Sequence, residues 1–269
     1  MKEFCFLDGA RLEDAPVLRS LAYGEGVFES FRWKGGPPVH LFLHLERMRR
    51  GAEFLGIPPP ANTVVKQRIT EAAAHAGGGD LKMKVCLLSG GSPVYYSRPR
   101  TGSLLVSASR RMPPPEAIAL WVCSDRRPVQ SRLYAHKTLN YLGNIVARRE
   151  ALARGADEAL FLDSLGAVVE TSCQNVFWMK GPRLFTPSTE CPLLPGVTRK
   201  LILRVGRKLG FEVECGNFPL EALLSGDCGF LTNASIGMVR VSAIAGTAMP
   251  PAPEHFARLR DALLNELGW

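Results

Sequence analysis

The chain has 269 residues, 46% of them hydrophobic and 22% charged, and a formal charge of +8 from 33 basic and 25 acidic side chains. This composition excludes bulk disorder, collagen and coiled coil, and the length allows one large domain or two modest ones around a substantial core. The basic residues are dispersed in short pairs such as Arg49-Arg50 and Arg126-Arg127 with no basic tail, so a solvated basic surface and a small anionic substrate are expected in preference to nucleic acid.

The first half reads as a small α/β unit. Val27–Trp33 has strand character and is followed by a Gly35-Gly36-Pro37-Pro38 turn and an apolar run over Val39–Leu43. Leu45, Met48, Ala52 and Leu55 recur at helical spacing, and Gly56 and Pro58 end that helix. A second helix is expected over roughly 63–76, stopping at Gly77-Gly78-Gly79. Strands are expected over Leu81–Ser89 and Ser103–Ser109, around a loop rich in Gly, Ser, Pro and Tyr. Arg110-Arg111-Met112-Pro113-Pro114-Pro115 suits neither helix nor central strand. It is expected as a linker over 111–118 between domains at 1–110 and 119–269.

In the second half a strand begins at Trp121–Cys123, and Lys137-Thr138-Leu139-Asn140-Tyr141 is expected to open a helix. Strands over Glu158–Leu162, Ala167–Thr171, Asn175–Met179 and Leu184–Thr186 flank turns at 163–166 and 180–182. Val197, Leu201, Val205 and Leu209 mark a helix after Pro195-Gly196. Strands at 211–215, 229–232 and 238–244, a short helix at 219–225 and an amphipathic helix over 254–267 complete the chain. Helices and strands alternate without a βαβ rhythm, so the fold class is α+β, a mixed α/β arrangement, rather than a doubly wound sheet.

No apolar stretch approaches the roughly 18 residues of a spanning helix. Met1-Lys2-Glu3-Phe4-Cys5 lacks the apolar core of a signal peptide. Seven scattered cysteines form no CxxC, so a reducing, cytoplasmic setting is expected, with neither membrane nor metal partner.

The sequence holds no GxGxxG, Walker, HExxH or GxSxG motif. Four features could make one site, and each has a plainer reading. Lys137 stands among apolar neighbours, where an ammonium is disfavoured and the amine becomes nucleophilic; most lysines, however, are solvated. Thr198 follows Pro195-Gly196-Val197, where free first-turn amides and a hydroxyl can bind phosphate, or the threonine simply caps the helix. Arg47 lies where a bidentate phosphate contact is feasible, or it is one surface arginine among three. Glu170 ends an apolar run, so it is either edge-exposed or buried with a cation. A nucleophilic lysine, a phosphate cradle and a partner for a pyridinium nitrogen together are what a pyridoxal phosphate site requires.

Five segments carry a resemblance: Tyr23-Gly24-Glu25-Gly26-Val27-Phe28-Glu29, His44-Leu45-Glu46-Arg47-Met48, Lys137-Thr138-Leu139-Asn140-Tyr141, Glu170-Thr171-Ser172-Cys173-Gln174-Asn175-Val176-Phe177, and Pro195-Gly196-Val197-Thr198-Arg199. In this order the chain resembles the fold-type IV pyridoxal phosphate enzymes of the class IV aminotransferase family, over nearly its whole length. The resemblance implies a two-domain fold, with a small N-terminal α/β domain and a larger C-terminal mixed-sheet domain that carries the cofactor lysine. Lys137 would hold pyridoxal phosphate and shuttle the Cα proton, and Glu170 would pair with the pyridine nitrogen. Arg47, Val197, Thr198, Ala234 and Ser235 would hold the phosphate, and Tyr141 would reach the ring hydroxyl.

Within the class, Ala156–Ser164, Asn175–Gly181 and Thr232-Asn233-Ala234 most resemble the branch that converts 4-amino-4-deoxychorismate to 4-aminobenzoate and pyruvate in folate biosynthesis. The Arg-x-His pair typical of D-amino-acid aminotransferases is absent from the loop at 90–98. Ser89 stands where the lyases often carry arginine, so Arg98 and Arg100 become candidates for the substrate carboxylate. The alternative is an aminotransferase of D-amino or branched-chain amino acids on the same fold. From a different class, a non-catalytic basic binding protein would be colourless when purified. The resemblance also implies a homodimer.

Overall fold

The computed structural model describes residues 5–7, 10–12, 18–92 and 94–269. Met1–Phe4, read above for a leader, and Pro93 of the 90–98 loop lie outside them. The chain divides into two compact units, one of residues up to Arg110 together with His136–Asn140, the other of Arg111–Ala135 and Tyr141–Trp269.

In the first unit, β1 (Cys5–Leu7) and β2 (Ala10–Leu12) pair antiparallel, and α1 (Leu18–Tyr23) leads into β3 (Gly26–Lys34). Then follow α2 (Leu41–Leu55), α3 (Asn62–His75), β4 (Asp80–Gly90) and β5 (Thr101–Arg110). β3, β4 and β5 form an antiparallel sheet in that order. Gly26 to Glu29 of β3 are all buried, and from Glu29 on alternate residues Glu29, Phe31 and Trp33 are buried, the period of a strand with one covered face. The apolar run at Val39–Leu43 is not a separate element: α2 begins at Leu41 and buries Leu41, Leu45, Met48 and Ala52 as one stripe. Gly56 ends it at φ 71°, and the Ile57 amide turns back onto the Ala52 carbonyl at 2.8 Å.

The second unit contains β6 (Ala117–Arg127), a 3-10 turn (Arg132–Ala135), α4 (Leu142–Ala153), β7 (Glu158–Asp163), β8 (Val168–Thr171), β9 (Asn175–Lys180) and β10 (Arg183–Pro187). It continues through α5 (Val197–Lys208), β11 (Glu212–Gly216), α6 (Leu220–Leu224), β12 (Cys228–Asn233), β13 (Gly237–Ile244), β14 (Thr247–Ala248) and α7 (Glu254–Leu267). The sheet runs β11-β10-β9-β12-β13-β6-β7-β8, with β14 on β13. It is mixed: β10–β11, β13–β6 and β6–β7 are parallel and the other pairs antiparallel. Every residue of β7 and β8 is buried, the mark of strands covered on both faces. Stacked Phe177 and Phe230, with Phe256 of α7 edge-on to Phe230, fill one side of the sheet.

Two expectations change here. Lys137–Tyr141 does not open a helix, because α4 starts only at Leu142. The backbone of this segment is committed instead to β3: Phe28 N–H donates to the Lys137 carbonyl at 2.8 Å, and Leu139 N–H donates to the Gly26 carbonyl at 2.9 Å. Gly26 makes the approach feasible, since a Cβ there would meet Leu139 Cδ1 at 2.5 Å. For the same reason His136–Asn140, and with it Lys137, groups with the first unit rather than with residues 119–269. Local spacing could not reveal a strand partner more than a hundred residues away.

Candidate functional site

The expected residues fall into two groups, one in each unit. In the first, Lys137 is half-buried, and its Nζ lies 4.3 Å from the centre of the Phe28 ring. Arg47 is no surface arginine. Its side chain is 10% exposed, and Nε and Nη2 grip both oxygens of Glu29 at 2.8 and 2.7 Å. The second partner of Glu29 is His44 Nδ1 at 2.7 Å. Burial pushes the Glu29 carboxyl upward, but the Arg47 charge and the hydrogen bonds from Arg47 and His44 outweigh it and hold the group at about 2. Burial lowers His44 below its ordinary value, against the pull of Glu29. His44 is therefore a satisfied core histidine, and the triad fixes Arg47 in one rotamer. Sequence reasoning assigned Glu29 no role; the signal available was its place at the end of the first segment quoted above.

Arg98 and Arg100 are exposed. Their loop is tied down by Arg19, which sequence reasoning missed. Its Nη1 donates to the carbonyls of Ser92 and Val94 at 2.8 Å, and its Nε meets Glu25 at 2.5 Å. Ser89, at the position where arginine was sought, donates its hydroxyl to the same Glu25 at 2.7 Å.

In the second unit Glu170 is buried, not edge-exposed, and it has a cationic partner. Arg127 Nη1 donates to Oε1 at 2.5 Å, the Leu194 amide to Oε1 at 3.2 Å, and Asn175 Nδ2 to Oε2 at 3.0 Å. Asn175 Nδ2 also donates to the Leu194 carbonyl at 2.9 Å. The helix α5 begins beside this network. A Cβ on Gly196, its N-cap, would collide with Asn175 Oδ1, so glycine is required there by close approach. Glu170 and the N-terminus of α5 are thus joined through Asn175.

Thr198 stands in the first turn of α5, whose leading amides have no intrahelical acceptor. Its hydroxyl does not cap the helix; it is buried and has no hydrogen-bond partner. A buried hydroxyl left unpaired is costly, and one set at a helix N-terminus suits an anion. A phosphate there satisfies the orphan oxygen, so the residues present fit pyridoxal phosphate. The strand β12 adds a second buried, unpartnered hydroxyl, Thr232 Oγ1, on a residue paired in register with Asn175.

Ala234 and Ser235 lie in the turn after β12. The Ser235 amide is taken by Asn233 Oδ1 at 2.9 Å, and its carbonyl accepts from Arg111 at 2.8 Å. Tyr141 is half-buried at the N-cap of α4. Among the described residues no group of His, Cys, Asp and Glu could hold a metal ion, and no helix is long and apolar enough to cross a membrane.

Comparison with known proteins gives a consistent picture. The family model for Amino-transferase class IV matches residues 26–244. Aminodeoxychorismate lyase of Bacillus subtilis is 30% identical over 254 residues, covering 89% of this chain and 86% of that protein. The branched-chain aminotransferase of Thermoproteus uzoniensis, solved with norvaline, is 27% identical with a TM-score of 0.84, covering 98% of this chain and 94% of that one. A branched-chain amino acid aminotransferase from T.th., solved with pyridoxamine 5'-phosphate, is 26% identical with a TM-score of 0.84, covering 98% of this chain and 93% of that one.

Proposed function

The chain belongs to the class IV aminotransferase family, and from that premise we propose that it is a pyridoxal phosphate-dependent lyase converting 4-amino-4-deoxychorismate to 4-aminobenzoate and pyruvate. The observation that carries the cofactor is the buried, partnerless hydroxyl of Thr198 at the start of α5, joined through Asn175 to the buried carboxylate of Glu170. The likeness to the lyase of Bacillus subtilis over most of both chains supports the lyase assignment.

Pyridoxal phosphate, when bound, supplies an electron sink for the charge left at a substrate carbon that has lost its proton. The protein's own groups do the rest. Lys137 would hold the cofactor through Nζ and carry the proton taken from the substrate Cα. The residue is half-buried, with its Nζ beside the Phe28 ring. Glu170 would hold a proton at the ring nitrogen, because its network of donors keeps it an acceptor. The Thr198 hydroxyl, the Val197 and Thr198 amides, the Arg47 guanidinium and the turn at Ala234 and Ser235 would receive the phosphate, and Tyr141 the ring hydroxyl. Arg98 and Arg100 would meet the substrate carboxylates. Loss of the enolpyruvyl group as pyruvate leaves an aromatic ring, and aromatisation drives the reaction forward. The assembly proposed is a homodimer, as the family resemblance implies.

Aminotransfer is the competing reading, favoured by the close structural likeness to the branched-chain enzymes. The test is a product assay on the full-length protein loaded with pyridoxal phosphate, offered aminodeoxychorismate, D-alanine and branched-chain amino acids. Release of pyruvate and 4-aminobenzoate without a keto-acid acceptor is expected. Turnover only when a keto acid is present would replace lyase by aminotransferase. Lys137→Ala is expected to lose both the yellow colour and turnover, and full activity in that variant would overturn the site.

A further inference from the structure

Glu170 shares its charge with a second residue whose setting is unusual. Arg127, at the end of β6, has a side chain only 3% exposed. Its Nη1 donates to Glu170 Oε1 at 2.5 Å and to the Pro192 carbonyl at 3.0 Å. The guanidinium carbon lies 4.2 Å from the centre of the Phe161 ring and 4.5 Å from that of Tyr134. Two aromatic faces, an ion pair and a carbonyl hold a flat cation in one orientation. Glu170 also accepts from two neutral donors, Asn175 Nδ2 and the Leu194 amide. From α5 a second charge acts on it, that of buried Arg199, whose Nη2 donates to the Pro187 carbonyl at 2.8 Å.

We propose that Arg127 is a positioning residue that fixes the Glu170 carboxylate as an anion and, by drawing on its charge, weakens its hold on a proton at the cofactor's ring nitrogen. The inference rests on the functional reading above, in which Glu170 faces that nitrogen. A carboxylate already neutralised by a guanidinium is a weaker base, and a fixed positive charge behind it opposes a second positive charge on the ring. The protein then tempers the electron sink instead of maximising it. Asn175 and Leu194 set where the oxygens lie, while Arg127 sets how much charge they offer.

The test uses the full-length holoenzyme loaded with pyridoxal phosphate labelled with nitrogen-15 in the ring. The ring-nitrogen resonance, followed against pH, reports its protonation directly. Arg127→Met is expected to raise the midpoint by about one pH unit, the size of effect that loss of one nearby charge produces. Arg127→Gln, which keeps a neutral donor for Glu170 and guards against failure of the Met variant to fold, is expected to rise likewise. Arg127→Lys is expected to stay near the wild-type midpoint. A midpoint that is unchanged or lowered in the Met or Gln variant overturns the inference. Glu170→Gln separates the two levels of argument. If the resonance ignores that change, or the wild type binds no pyridoxal phosphate, the functional reading falls and this inference with it. If the resonance responds to Glu170→Gln but not to the Arg127 variants, only the role of Arg127 is lost.

Discussion

Replacing Glu29 by glutamine tests the electrostatics of the first unit. The Glu29 side chain is 1% exposed and lies between Arg47 and His44, and its carboxyl is held at about 2 against an ordinary 4.5. That depression corresponds to about 3 kcal/mol of stability, since each pH unit is worth about 1.4 kcal/mol. The figure agrees with the roughly 3–5 kcal/mol lost when one partner of a buried ion pair is removed. Because the folded value lies below the unfolded one, the unfolded chain binds more protons as the solution is acidified. The contribution is therefore complete above the unfolded value and is lost as pH falls toward the folded one. Urea unfolding of full-length wild type and Glu29→Gln should show a gap of about 3 kcal/mol at neutral pH, shrinking by about 1 kcal/mol near pH 3.5. A gap under about 1 kcal/mol at neutral pH, or one that does not change with pH, would refute the claim that Glu29 is a paired anion.

The hydroxyl of Thr198 offers a contrasting case. Because it has no partner in the protein, Thr198→Val should leave the stability of the cofactor-free protein unchanged or slightly raised. The same change should weaken pyridoxal phosphate binding by roughly 10- to 100-fold, the worth of one hydrogen bond to a charged group. A loss of apo stability with unaltered affinity, by calorimetry and fluorescence titration, would contradict this. Gly196→Ala drives a Cβ into Asn175 Oδ1; a destabilisation of about 1–3 kcal/mol is expected from forced repacking, and an unchanged melting temperature would show that the close approach is not required.

Elements whose cause is local were legible. The apolar stripes of α2, α5 and α7 and most strand positions follow from periodicity, because a helix or strand buries the face its own spacing creates. Proline refuses both repeats, so the Pro-rich run after Arg110 is neither helix nor strand, but the expected linker over 111–118 is cut short because β6 already begins at Ala117. The family resemblance supplied candidate site residues with their order along the chain, although spacing alone left a plainer reading beside every one of them.

What the sequence by itself determined, then, is composition, element type and which chemistry-bearing side chains are available. Only the tertiary structure decided their states. It showed that Lys137 sits in an extended segment tied to β3, that Arg47 is clamped by Glu29, and that Glu170 is buried against Arg127. Each depends on a partner far off in the chain, and the charge a group carries is set by burial and by neighbours in space. Periodicity records a residue's neighbours along the chain, whereas ion pairing and desolvation belong to the folded volume.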